Sequence, residues 1–74
     1  MGREFFVHPN VLLGTNVVIE EGVIIGKPPR GFGSGQLETR IGDNAVLRIG
    51  SIIYAGATIG DDFSTGEYAI VREK

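Results

Sequence analysis

IGDNAVLRIGSIIYAGATIGDDFSTGEYAI, residues 41–70, divides without a gap into five units of six: IGDNAV, LRIGSI, IYAGAT, IGDDFS and TGEYAI. Ile41, Leu47, Ile53 and Ile59 lead four of the units, and Thr65 leads the last. The fifth position carries Ala45, Ser51, Ala57, Phe63 and Ala69, mostly small. The fourth carries Asn44, Gly50, Gly56 and Asp62, residue types that tolerate a left-handed backbone and so permit a sharp turn in each unit. An amphipathic helix repeats its apolar residues at three and four, and a half-buried strand repeats them at two. A period of six with a turn in each unit predicts an all-β parallel β-helix, in which short strands wind into coils and each coil stacks on the one before. Three units of six make one triangular coil of eighteen residues, with leading and fifth residues turned inward.

The register extends upstream. VHPNVL, LGTNVV, IEEGVI and IGKPPR are led by Val7, Leu13, Ile19 and Ile25, with Asn10, Asn16 and Gly22 at the turn and Val11, Val17 and Val23 at the inner corner. Ile41 then follows Ile25 by sixteen positions rather than a multiple of six, and KPPRGFGSGQLETR between them is rich in proline and glycine. This predicts one unit plus a loop excursion of about ten residues. The expected organisation is a single domain over 1–74: an N-terminal cap at 1–6 in which Phe5 and Phe6 cover the open end, repeats at 7–30, the excursion at 31–40, and repeats at 41–74. The last unit stops at VREK, and the chain is expected to be part of a longer protein.

Stacking by this count gives three inward columns: Val7, Ile25, Ile53 and Val71; Leu13, Ile41 and Ile59; Ile19, Leu47 and Thr65. The residues just before the first column, Phe6, Ile24, Ile52 and Ile70, then form an outward apolar ladder. Such a ladder suits contact with another chain. Tyr54 and Arg72 share that face and have side chains that often anchor interfaces.

Size and charge narrow the function classes. A chain of 74 residues buries only about 60 per cent of its unfolded surface, so help from stacking or oligomerisation is expected. Seven basic and nine acidic residues give a net charge of −2 without a basic stripe, which argues against nucleic acid or an anionic membrane as partner. There is no cysteine, hence no disulfide and no thiolate metal site, and no apolar run long enough for a signal peptide or a membrane span. A cytoplasmic protein is the expectation.

The units resemble those of the hexapeptide-repeat acyltransferases. They share the leading aliphatic residue, a frequent glycine second, Asn or Gly fourth and a small residue fifth, from Val7 to Val71 apart from the loop. The resemblance implies a left-handed parallel β-helix of about three triangular coils with one loop excursion. It further implies transfer of an acetyl or related group from acetyl-CoA or another acyl-CoA to a hydroxyl or amine of a sugar or nucleotide-sugar, by a homotrimer with its site between subunits. FSTGEYAIVRE, residues 63–73, is similar to the segment of sugar acetyltransferase-like members where Thr-Gly-His precedes an aliphatic run and Arg-Glu, so this chain resembles the N-terminal part of such a member. Thr65 and Gly66 match, but Glu67 stands where the family has its histidine. An exposed carboxylate is a far poorer base near neutral pH than an imidazole, so a solvated glutamate is the plainer reading and this chain alone is expected to be inactive.

Other candidates are fewer. Lys27 and Arg30 on the excursion are candidates for a phosphate-bearing donor or substrate, against the plain alternative of two surface cations. GFGSGQ lacks both the dinucleotide spacing and the Gly-Lys-Ser/Thr of a nucleotide loop. His8, the only histidine, cannot build a zinc site within one chain, and no metal is expected. Asp43, Asp61 and Asp62 fall at turns, where carboxylates accept backbone hydrogen bonds. Thr15, Thr39, Thr58 and Thr65 form no column, which argues against an ice-binding face. The alternative to an acyltransferase is a non-catalytic β-helix module for oligomerisation or scaffolding.

Overall fold

A computed structural model describes residues 4–72. Nine short strands form three parallel sheets: β1 (Phe6–Val7), β4 (Ile24–Lys27), β7 (Ile52–Tyr54) and β9 (Ile70–Val71); β2 (Val11–Leu13), β5 (Thr39–Ile41) and β8 (Thr58–Ile59); and β3 (Val18–Ile19) with β6 (Val46–Leu47). The chain winds as a left-handed parallel β-helix with triangular coils, and consecutive strands always lie in different sheets. Turns at every sixth residue keep the strands short. Asn10, Asn16, Asn44 and Asp62 have φ between 58 and 65°, and Gly22, Gly50 and Gly56 between 71 and 92°.

Strand pairing follows the columns read from the period. Val7 pairs with Ile25, Ile25 with Ile53 and Ile53 with Val71; Leu13 pairs with Ile41 and Ile41 with Ile59; Ile19 pairs with Leu47. A bridge between Val46 and Ser64 carries the third column on to Thr65. Inside the prism Val23, Ile25, Ala45, Leu47 and Ile53 are fully buried, with Ile41, Ala57 and Ile59 nearly so. Burying each large aliphatic side chain contributes roughly 1.5–3 kcal/mol, and no single coil achieves it alone. In the first coil, Val7 remains 37% and Leu13 42% exposed.

The path from β4 to β5 lies over residues 28–38, and it folds back onto the first coil. His8 Nδ1 lies 2.9 Å from Ser34 Oγ, and Asn10 Nδ2 donates to Gly35 O at 3.2 Å. Within the loop, Phe32 N donates to Pro29 O, while Gln36 N donates to Gly33 O and its side-chain oxygen accepts from Gly33 N. Thr39 and Arg40 are already in the coil, paired with Val11 and Leu12 of β2. Phe6 is paired with Ile24 and faces outward as the first rung of the ladder. Met1 to Arg3 of the expected cap, and Glu73 and Lys74 of the final VREK, lie outside the described residues.

Candidate functional site

The outer face of the four-stranded sheet carries two parallel columns. The first is Phe6, Ile24, Ile52 and Ile70, aligned by direct pairing of each with the next. Phe6 and Ile70, at its ends, are 57% and 59% exposed, while Ile24 and Ile52 are half-buried. Beside it run Lys27, Tyr54 and Arg72. Gly26, at φ 85°, makes a bulge that shifts the register so that Lys27 pairs with Tyr54 instead of following Ile25 inward. The Tyr54 ring then lies between two cations, with Lys27 Nζ at 5.6 Å and Arg72 Cζ at 4.4 Å from its centroid. The quadrupole of the ring favours both. Lys27, Tyr54 and the apolar ladder are thus brought onto one face, whereas Arg30 is exposed on the loop and makes no ion pair among the described residues.

Residues 65–68 lie elsewhere, at the corner after the third sheet. Thr65 leads its unit with a hydroxyl in place of an aliphatic group, and the structure gives it partners. Its Oγ1 accepts from Arg48 N at 2.8 Å and lies 2.8 Å from Ser51 Oγ. Ser51 Oγ also lies within hydrogen-bonding distance of Arg48 O and Gly66 O, at 2.7 and 3.1 Å. The Thr-Gly pair therefore closes a buried polar corner. Glu67 points out from it, exposed, with its Oε2 3.3 Å from Arg48 Nη2. Arg48 Nε reaches Glu20 Oε1 at 3.3 Å, and that oxygen also accepts from Ile49 N at 2.9 Å. The arginine thus ties together two carboxylates from the coils on either side of its own, on a solvated surface. Such exposed pairs contribute little to stability, and they keep the Glu67 oxygen engaged.

Three features were not singled out by sequence reasoning. Arg48 is the bridge between Glu20 and Glu67. Tyr68 holds the turn position of its unit at φ 58°, and its ring lies against Gly50, where an added Cβ would collide with ring atoms Cδ1 and Cε1. The fourth-position rule marks that site, but residue type hides it. The third feature is the contact between His8 and Ser34, which no local pattern signals because 26 residues separate them.

Open depressions lie at Glu21, Gly22, Ile49, Gly50 and Tyr68, and along Leu12, Leu13, Arg40, Ile41 and Thr58. Among the described residues no group of three or more His, Asp or Glu side chains is placed to hold a metal ion, and no helix is long and apolar enough to cross a membrane. Comparison with protein-family models, curated proteins and solved structures finds no match to this chain.

Proposed function

We propose that this β-helix forms part of a hexapeptide-repeat acyltransferase, which moves an acetyl or related group from an acyl-CoA to a sugar or nucleotide-sugar. The observation that carries the reading is the unbroken match of strand pairing to the six-residue columns, together with an outer face where the apolar ladder adjoins Lys27 and Tyr54. In this reading three copies pack through Phe6, Ile24, Ile52, Tyr54 and Ile70, and the site forms between them. Lys27 and Arg30 fit the donor by charge. An ammonium on an aromatic platform and a guanidinium on an exposed loop both suit phosphate groups of acyl-CoA. The donor supplies the activated acyl group, and the cations position it.

The engagement of Glu67 by Arg48 favours a second reading, a non-catalytic oligomerisation or scaffold module. With Glu67 exposed and ion-paired, the chain has no evident proton acceptor at the family's position, and assembly alone accounts for the apolar face. The experiment measures solution mass by light scattering over a dilution series, alongside release of free CoA from acetyl-CoA in the presence of nucleotide-sugars and amino-sugars. A persistent trimer that releases CoA only with an acceptor supports the acyltransferase. A persistent trimer without release supports the module. A folded monomer removes the interface from both.

A further inference from the structure

From the His8–Ser34 contact we infer a second chemical site, in which Ser34 is a nucleophile toward activated acyl esters and His8 is its base. It goes beyond the function proposed above, since it needs neither a trimer nor a sugar acceptor. Ser34 Oγ lies 2.9 Å from His8 Nδ1, within the distance at which an imidazole takes the proton of an attacking hydroxyl.

The pair is held from several sides. The Phe6 ring meets the His8 ring edge to face, with centroids 4.6 Å apart and planes at 82°. Beneath lies Gly26, at φ 85°, where a Cβ would come to 3.2 Å from His8 Cβ and 2.8 Å from Val11 Cγ2, so glycine there lets the histidine sit close against the backbone. Across from it the loop is pinned one residue beyond the serine. Asn10 Nδ2 donates to Gly35 O at 3.2 Å, and Pro9 packs so tightly on Gly35 that an added Cβ would sit 3.0 Å from Pro9 Cβ. Two neighbouring residues of the first coil thus fix the loop that presents Ser34 to His8. Such fixing of both partners is what a nucleophile and base need to meet in productive geometry.

The backbone supplies the remaining group. The N–H groups of Ser34 and Gly35 make no hydrogen bond among the described residues. Belonging to the serine itself and to the residue after it, they are free to donate to the oxyanion of an acyl adduct. Gly33 and Gly35 leave the approach to Ser34 open, and Ser34 is exposed.

The reaction balances without a further reactant. Ser34 Oγ bonds to the carbonyl carbon of an ester or thioester while its proton passes to His8. The bond from that carbon to the leaving oxygen or sulfur then breaks, the leaving atom keeps the electron pair, and His8 returns the proton to it. Water attacks the acyl-serine in the second half, giving its proton to His8. The carbon–Oγ bond breaks, and Oγ recovers the proton.

The test incubates the whole chain with p-nitrophenyl acetate, following p-nitrophenolate release and locating acetyl groups by peptide mass spectrometry. The expected result is an acetyl group on Ser34, with release slowed about 100-fold in both Ser34→Ala and His8→Gln while the circular dichroism of each stays that of the parent. Ser64→Ala, on another face, is expected to react as the parent does. Partial recovery of Ser34 acetylation when free imidazole is added to His8→Ala further supports the assignment. Acetyl groups confined to lysines or the N-terminus, or an unchanged rate in folded Ser34→Ala, overturn it. Loss of the coil signal in Ser34→Ala also overturns it, because the contact then serves folding.

Discussion

Thr65 Oγ1 lies 2.8 Å from Ser51 Oγ inside the prism, the two hydroxyls closing a corner that the first coil fills with Ile19 and Val23. Thr65→Val keeps the shape but leaves the part-buried Arg48 N–H without its acceptor and removes the buried partner of Ser51 Oγ. The expected loss is about 1–3 kcal/mol by urea denaturation, with Thr65→Ser close to the parent. Equal stability of the valine and serine variants contradicts a structural role for this hydrogen bond.

Thr39 presents the opposite case. It is fully buried, opposite Val11, and its Oγ1 has no hydrogen-bond partner among the described residues. Thr39→Val replaces the stranded hydroxyl by a methyl group of similar shape, and a β-branched residue suits the strand. The expected outcome is a gain of about 1 kcal/mol, seen as a higher urea midpoint at unchanged slope. A lower midpoint speaks for a hidden partner for the hydroxyl.

How much of this was legible follows from what a period can encode. The repeat at Ile41, Leu47, Ile53 and Ile59 set the pairing of every strand, because a six-residue unit with one left-handed turn leaves little freedom of register. It also placed Phe6, Ile24, Ile52 and Ile70 on one outer face. What it did not reveal depends on contacts across coils or across the loop. Tyr68 occupies a turn that composition assigns to Gly, Asn or Asp, at a backbone cost of roughly 1–2 kcal/mol per residue. Lys27 faces Tyr54 only because Gly26 makes a bulge, and Ser34 meets His8 only because the excursion folds back. Long-range contacts of this kind have no local signature.

Ile52 and Ile53 separate folding from assembly. Ile53 is fully buried in the inward column, so Ile53→Asp places a carboxylate in the apolar interior. The penalty rivals the whole stability of a small domain, about 5–15 kcal/mol, and circular dichroism is expected to show no cooperative melt. Ile52 is half-buried on the outer face. Ile52→Asp is expected to keep the β signal while lowering the mass measured by light scattering. The same mass as the parent removes the outer ladder from the interface.

The second-position glycines test the stack itself. A Cβ at Gly14 would overlap the next coil at Gly42 and Asp43, and one at Gly42 would lie 2.8 Å from both Asp61 N and Gly60 C. Gly60, at the same position one coil on, has no described residue within 4 Å of an added Cβ. The glycines therefore answer to the coil that follows, not to a turn. Backbone cannot yield as a flexible side chain does, so Gly42→Ala must pry two coils apart. It is expected to lose about 1–3 kcal/mol or more in urea denaturation, while Gly60→Ala stays near the parent. Should Gly60→Ala prove the more harmful, a further layer packs on that edge in solution, either more of the same coil or another molecule. Comparing the two variants thus reads out whether the third coil is the end of the stack.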